Sequence, residues 1–226
     1  LTALPLFVWM GEILFRTKLS ENLFKGLSPW MQKLPGGLIH VNIVGCALFA
    51  AISGSSAATV ATVGKMSIPE LRKRNYPEKI LLGSLAGSGT LGLLIPPSII
   101  LIIYGVAVQE SIAKLFIAGI IPGIMIALIF MSYVIIWSLI NKKEMPKILE
   151  EFSFLEKIKR SKQLLPVILL ILAVIGSIYT GIATATEAAS LGVVGALILS
   201  YFQKSLTLET FKTSLLGATK TSCMIA

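Results

Sequence analysis

Two uncharged stretches, SGSSAAT at Ser53–Thr59 and GSGTLGLLIPPS at Gly87–Ser98, interrupt long apolar runs of this chain. Glycine, proline and small hydroxyl residues favour turns and unwound backbone over continuous helix. Inside a bilayer, irregular backbone is tolerated only where other protein or a water-filled cavity satisfies its N–H and C=O groups. Paired interruptions of apolar segments are the sequence feature that best indicates a transporter's binding site. The two stretches therefore predict a membrane protein of the transport type.

The composition supports this interpretation. Hydrophobic residues make up 55% of the chain and charged residues 14%, and the mean hydropathy is +0.85. Residues 80–109 and 115–141 carry no charge, and residues 163–203 carry only Glu187. A membrane span needs about 20 residues, so the last window holds two spans, with a turn expected at Tyr179–Gly181. The sequence predicts an all-α, polytopic membrane protein.

The net charge of +9 comes from cations that cluster between the apolar windows. Such clustering indicates membrane topology and gives no reason to expect nucleic acid as a partner. Two crossings, 80–108 and 115–140, place the basic segments 65–79 and 141–163 on the same, cytoplasmic side. Cations also precede residue 38. Cytoplasmic loops carry an excess of Lys and Arg, so both ends of segment 38–64 lie on the cytoplasmic side if this segment enters the membrane and leaves it on that same side. We expect a re-entrant helical hairpin that turns at Ser53–Ser56.

The remaining segments complete the predicted order. It comprises the end of a span and a cytoplasmic loop (1–37), the re-entrant hairpin (38–64), a basic loop (65–79), a broken transmembrane helix (80–108), a transmembrane helix (115–140), a basic loop (141–163), two further transmembrane helices (164–178 and 185–202) and a final segment (206–226). The chain begins without Met inside an apolar pattern, and we interpret it as a fragment of a longer polypeptide.

Broken helices offer two kinds of ligand. Freed carbonyls and hydroxyls coordinate a hard cation, and the positive N-terminal ends of half-helices hold a carboxylate. Ser53, Ser56 and Thr59 are three residues apart and would share a face of one helix. The chain contains no Asp, so neutral oxygens would hold the cation. That set favours a monovalent ion over calcium, whose sites usually carry carboxylates.

Small residues at four-residue spacing have a simpler explanation, because they allow membrane helices to approach closely. Gly83/Gly87 and Gly119/Gly123 fit that pattern, and packing is the expected role of the second pair. A packing seam does not need the hydroxyls of Ser53–Thr59, so a functional role is favoured there.

Two titratable groups lie in apolar windows. Glu187 is either a functional intramembrane acid or a helix cap beside the turn, and the sequence does not decide between them. His40 is expected at the membrane interface near the mouth of the hairpin. An enzyme is not expected: one histidine excludes a His-Glu-x-x-His zinc site, and the glycines at 83–90 lack the lysine of a phosphate loop. Cys46 and Cys223 indicate no disulfide framework.

Three motifs in this order resemble the large membrane subunit (DctM-like, M subunit) of TRAP transporters. They are AISGSSAAT at Ala51–Thr59, Gly87–Ser98 and GIATATEAA at Gly181–Ala189. The third departs at Ala185, where the family often has proline. The resemblance runs along nearly the whole chain and covers roughly the first half of such a subunit.

The resemblance implies a sodium-coupled uptake system of the bacterial inner membrane. A periplasmic P-type binding protein would deliver a small organic anion, such as a dicarboxylate or sialic acid, to a complex of large and small (Q-type) membrane subunits. The large subunit would be an elevator-type transporter built from two inverted repeats, with hairpins and broken helices in a moving domain and other helices in a scaffold. Residues 206–226 would then begin a second, truncated half.

The resemblance also assigns site residues. One sodium site would use Ser53 and Ser56 with carbonyls around Gly92, Ile95 and Pro96, and Thr186 matches a second sodium site. Substrate contacts are expected at Ser55, Thr59 and Ser98. The alternatives are a sodium–dicarboxylate carrier that works without a binding protein, or a channel-like membrane module that does not transport by a coupled cycle.

Overall fold

The structure, a computed structural model, describes residues 2–16, 19–146, 153–162 and 164–225. Within these residues all regular structure is helical and no strand is present, which confirms the all-α prediction. The α-helices of the described residues are α1 (Ala3–Phe15), α2 (Leu19–Met31), α3 (Ile39–Ser53), α4 (Ser56–Lys73), α5 (Glu78–Gly89), α6 (Ile99–Ala107), α7 (Ile112–Ile140), α8 (Phe154–Ser161), α9 (Leu165–Tyr179), α10 (Ala185–Phe202) and α11 (Leu208–Ile225). Short 3-10 turns occupy Thr90–Leu93 and Lys142–Glu144.

Two of the described helices, α7 and α10, are long and apolar enough to cross a membrane. Helices α8 and α9, which meet at a sharp bend, add a third if the pair is one span. α1 and α3 are apolar but shorter. The segment expected to be a broken span is divided into α5, a 3-10 turn and α6.

The helices pack in two groups. α1 lies against α10 and α11, and α10 also lies against α9. In the second group, α3, α4 and α5 pack on one another, and α7 packs on α3, α5 and α6. The groups meet where α1 crosses the end of α3: a Cβ atom on Gly11 would lie 2.8 Å from Ser53 Cα. Helix α1 therefore covers one side of the hairpin at the end of α3.

α3 and α4 form an antiparallel hairpin. A Cβ atom on Gly45 would lie 3.6 Å from Val63 Cγ1, and these two residues are equally far in sequence from Gly54. α5 then runs back along α4, because Gly64 lies beside Leu85. The hairpin is thus part of a three-helix unit formed by α3, α4 and α5.

The base of the hairpin is closed by Tyr76, in the link between α4 and α5. Its hydroxyl accepts a hydrogen bond from the backbone N–H of Leu38 at 3.0 Å. Burial of this side chain raises the pKa of the Tyr76 phenol. Both ends of the hairpin therefore lie together, as a re-entrant path requires. Its position in a bilayer stays a prediction.

Two helices occupy segments expected to be loops. α2 lies within 1–37 and α8 within 141–163. α2 buries Leu23, Phe24 and Leu27 in the main core. Parts of both predictions, at residues 1, 17–18, 147–152 and 163, lie outside the described residues, as does residue 226 of the last segment.

Candidate binding site at the hairpin tip

The hairpin tip is a two-residue break. Gly54 ends α3 in the left-handed conformation, at φ 59°, and its N–H donates to Ala50 O at 3.0 Å. Ser55 then adopts an extended conformation and caps α4, its hydroxyl accepting from Ala58 N at 3.4 Å. Glycine tolerates the left-handed conformation and serine is a strong N-cap. Local sequence is therefore enough to explain why the helix stops and restarts here.

The second break follows α5. After the 3-10 turn at Thr90–Leu93, the Pro96–Pro97 pair cannot continue a helix, because proline lacks the N–H donor and its ring clashes with the preceding turn. Ser98 is extended and caps α6, accepting from Leu101 N at 3.5 Å. Its hydroxyl also donates to Leu93 O at 2.6 Å. This bond joins the two ends of the unwound segment between the 3-10 turn and α6.

The two breaks are in backbone contact. The first amide of α6, Ile99 N, donates to Gly54 O at 3.2 Å. A Cβ atom on Gly54 would lie 2.6 Å from Pro97 O, and one on Gly92 would lie 2.9 Å from the carbonyl of Ser55. Both glycines are therefore needed for close approach. The prediction that the two uncharged stretches meet is confirmed.

The polar groups at this contact are buried and uncharged. The hydroxyls of Ser53 and Thr59 lie 2.9 Å apart, and both side chains donate to Ser55 O, at 3.3 and 2.7 Å. Ser53 is 4% exposed, and Thr59 and Ser98 are fully buried. The negative end of α3 and the positive ends of α4 and α6 thus converge on one place. Such an arrangement can hold a cation at the carbonyl end and an anion at the amide ends.

The expected geometry of the serines is wrong in one respect. Ser53, Ser56 and Thr59 do not share a helix face, because the break at Gly54–Ser55 leaves Ser53 on α3 and the other two on α4. Ser53 instead meets Thr59 across the break. Ser56 is half-buried and its backbone N–H faces the position of Gly92.

Ile95 and Pro96 lie at the same break but pack towards α7. A Cβ atom on Gly123 would lie 2.8 Å from Ile95 Cγ1, and one on Gly119 would lie 3.6 Å from Pro96 Cγ. The packing role of Gly119 and Gly123 is confirmed, and it positions the second break. Of the first pair, Gly87 lies beside Phe130, whereas no atom of the described residues lies within 4 Å of a Cβ atom added to Gly83.

Thr186 is not part of the hairpin-tip contact. It lies half-buried in the first turn of α10, and its carbonyl accepts from Ser190 Oγ at 3.0 Å. α10 packs on α1 and α9, and α1 in turn packs on the hairpin. The structure therefore brings together Ser53, Ser55, Ser56, Thr59, Gly92 and Ser98, with Ile95 and Pro96 behind them.

The two titratable groups have structural roles. Glu187 is exposed and forms a capping box at the start of α10, accepting from Thr184 N and Thr184 Oγ1, both at 2.8 Å. The cap interpretation is therefore the one that the geometry supports. His40 lies in the first turn of α3, at the base of the hairpin, with its side chain fully buried and its Nε2 2.8 Å from Pro35 O. Its expected position at the membrane interface stays a prediction.

A polar cluster around Asn42, towards the base of the hairpin, was not predicted from the sequence. Asn42 Nδ2 donates to Leu81 O at 3.3 Å and to Ser84 Oγ at 3.0 Å, and Ser88 Oγ donates to Ser84 O at 2.6 Å. The two Asn42 bonds tie α3 to α5, as does a 3.4 Å bond from Ser88 Oγ to Asn42 O, whereas the bond to Ser84 O lies within α5. An asparagine in an uncharged apolar window was the signal that could have identified it.

An apolar helical fold with two broken helices meeting in a buried, uncharged contact defines a polytopic membrane protein of the transporter class. The whole chain, residues 1–226, matches the family described as tripartite ATP-independent periplasmic transporter, DctM component. The chain belongs to this family, whose members are integral proteins of the bacterial inner membrane and components of transporters, not enzymes.

Curated relatives agree with the family assignment. The chain is 36% identical over 202 residues to a C4-dicarboxylate TRAP transporter large permease protein of Pseudomonas aeruginosa, covering 89% of this chain and 47% of that protein. It is 35% identical over 229 residues to a sialic acid TRAP transporter large permease protein of Vibrio cholerae, covering 100% and 52%. It is 35% identical over 227 residues to an isethionate TRAP transporter permease protein, DctMQ, of Oleidesulfovibrio alaskensis, covering 99% and 35%. The chain thus spans about half the length of the large-permease relatives.

Proposed function

We propose that the chain is part of a large permease subunit that imports a small organic acid together with sodium ions. The subunit would act with a small Q-type membrane subunit and a periplasmic P-type substrate-binding protein. The observation that carries this proposal is the backbone contact between the hairpin tip and the second break, since Ile99 N donates to Gly54 O at 3.2 Å. Paired breaks in contact are the arrangement that secondary transporters use to bind ions and substrate.

The chemistry of the contact favours sodium. The oxygens of Ser53, Thr59 and the Ser55 carbonyl lie within hydrogen-bond distance of one another. Carbonyls at Gly92, Ile95 and Pro96 would complete the ligand set, and the Ser56 hydroxyl would join from α4. Among the described residues, no three His, Cys, Asp or Glu side chains gather to hold a metal. Neutral oxygens suit a monovalent cation better than a divalent one.

The two helix N-termini at the contact favour a negatively charged substrate. α4 and α6 both begin at the contact, with Ser55 and Ser98 as their N-caps. Helix N-termini stabilise negative charge, so an acid group would be held near Ser55, Thr59 and Ser98. The relatives described above are named for C4-dicarboxylates, sialic acid and isethionate, and all three are anions.

Coupling to sodium has an electrical advantage. Moving one positive charge inward releases about 2.3 kcal/mol per 100 mV of membrane potential. Two sodium ions carried with a monoanion would use this energy, with Thr186 serving the second ion. In an elevator mechanism the hairpin group would slide against the α1 group, and Gly11 beside Ser53 would be the point of closest passage.

The proposal is tested by uptake into proteoliposomes that contain the full-length subunit with its small subunit, and with binding protein outside. We expect saturable uptake that is lost when sodium is replaced by potassium. Ser53→Ala and Ser56→Ala should raise the sodium concentration for half-maximal uptake, each by at least about tenfold, since one ligand to a charged group contributes about 1.5–3 kcal/mol. Ser132→Ala, which removes an exposed hydroxyl on α7, is the matched control and should leave it unchanged.

Other outcomes would identify the alternatives. Sodium-dependent uptake that does not need the binding protein would indicate the sodium–dicarboxylate carrier. Uptake that neither saturates nor depends on sodium would indicate a channel-like module. Both results would reject the proposal in its present form.

A further inference from the structure

The contact between α2 and α8 is organised around Trp30. Its indole Nε1 donates to Ser161 Oγ at 2.7 Å, and its ring meets that of Phe154 edge-on with centroids 6.4 Å apart. Lys157 Nζ lies 5.5 Å from the centre of the indole ring. Because α2 is itself held in the core by its buried leucines, these contacts fix the position of α8 against the body of the protein.

The outward side of this pair is apolar. Trp30 is 42% exposed, Phe154 66%, Leu155 77% and Ile158 40%. Phe154, Leu155 and Ile158 lie at i, i+1 and i+4 on α8, which places them on one side of the helix. We call these four residues the α2–α8 strip. Large side chains gathered in this way on a short polar helix mark a surface that has a partner.

Cations border the strip. Lys159 and Lys162 are exposed, and Lys157 lies on the other edge of α8, over the indole. A helix with large apolar side chains on one face and lysines beside them suits the boundary between headgroups and acyl chains. Tryptophan is enriched at the same depth. The strip also lies where the chain enters the apolar helix α9, so a membrane surface is adjacent in sequence.

We propose that the α2–α8 strip is an interfacial anchor that binds a leaflet containing anionic phospholipid. Phe154, Leu155 and Ile158 enter the boundary region beside Trp30, and Lys159 and Lys162 contact the phosphate groups. Anionic headgroups attract basic segments at the membrane surface. The anchor sets the height of α2, and through α2 that of α3, relative to the bilayer. It does not depend on the sodium site.

Trp30 serves as the reporter. In the full-length subunit, every tryptophan except Trp30 is replaced by phenylalanine, and the protein is reconstituted in bilayers of phosphatidylcholine and phosphatidylglycerol. Fluorescence is measured with bromine atoms on the acyl chains of one lipid or the other, near the headgroup end. We expect quenching by both brominated lipids, and stronger quenching by phosphatidylglycerol than by phosphatidylcholine at equal mole fraction.

Variants separate the two parts of the anchor. Lys159→Gln with Lys162→Gln should remove most of the excess quenching by phosphatidylglycerol, whereas Lys212→Gln with Lys220→Gln, two exposed lysines of α11, should leave it. Leu155→Ser with Ile158→Ser should reduce quenching by both lipids. Absence of quenching in the parent protein would overturn the proposal, since the strip would then lie in water. Equal quenching by the two lipids would overturn the anionic assignment.

Discussion

The hairpin tip at Gly54–Ser55 and the link between α9 and α10 at Gly181–Thr184 are built from the same local elements. Each has a glycine in the left-handed conformation, at φ 59° and φ 71°, after the first helix. Each then has an extended serine or threonine whose hydroxyl accepts from the third amide of the next helix. The two turns differ in their surroundings. The tip is buried against a second break, whereas the link is exposed, and its cap is completed by the carboxylate of Glu187.

The residues of each turn determine where the helix ends. The burial of the turn determines whether its backbone groups are exposed to water or surrounded only by protein. At the link, the Glu187 carboxylate accepts from the backbone N–H of Thr184, and the turn is exposed. At the tip, only neutral groups of the protein are present, so an ion or an acid group can compete for them. A ligand at the tip would exchange bonds with these neutral groups out of water, where such bonds are stronger than at an exposed turn, and we therefore place the proposed ligand at the tip and not at the link.

The largest difference is expected between the two glycines. Alanine at either position destabilises the folded protein by about 1–2 kcal/mol, because the left-handed conformation is unfavourable for a residue with a Cβ atom. At Gly54 it must also displace Pro97 O, which lies 2.6 Å from the added Cβ, whereas at Gly181 no atom of the described residues lies within 4 Å. Gly54→Ala should lower the initial rate of sodium-dependent uptake by at least about tenfold, and Gly181→Ala should have little effect. Equal losses, normalised to subunit in the membrane, would mean that the contact between the breaks is unimportant.

A smaller difference is expected between two N-caps, Ser98 and Thr184. Removal of a cap hydroxyl costs about 1 kcal/mol. Ser98 is fully buried and its hydroxyl also donates to Leu93 O at 2.6 Å, so Ser98→Ala loses a further bond that water cannot replace. Thr184 is exposed. Thermal unfolding of the purified subunit should show the larger fall in Tm for Ser98→Ala, and the reverse order would contradict the difference in burial.

The smallest effect is expected at Glu187. Glutamine retains an oxygen that can accept from Thr184 N, so Glu187→Gln should preserve the capping box. Both the Tm and the sodium dependence of uptake should remain close to those of the parent protein. Loss of sodium dependence would instead assign Glu187 a functional role within the membrane.

Much of the hairpin region could be predicted from sequence, because glycine, proline and serine act locally. The turn expected at Ser53–Ser56 appears as Gly54–Ser55, and the double proline falls between the 3-10 turn and α6. Helix α10 has the bounds that were expected, since a long, largely apolar window is the clearest signal of a span and the Thr184 cap marks its start.

The remainder depended on tertiary contacts. The Ser53–Thr59 pair crosses a break, so no helical spacing predicts it. His40 is buried because the Pro35–Gly37 turn folds over it, a contact that charge distribution does not reveal. α2 and α8 are polar enough to be interpreted as loops, and they are stabilised by packing around Trp30.

The central claim is that the contact between the hairpin tip and the second break binds sodium. The most direct test is the Tm of the purified full-length subunit with increasing sodium at constant ionic strength, with potassium replacing it. Sodium should raise the Tm of the parent protein and of the exposed control Ser132→Ala in a saturable manner, and Ser53→Ala combined with Ser56→Ala should abolish the rise. An unchanged sodium-dependent rise in that double variant would contradict the account.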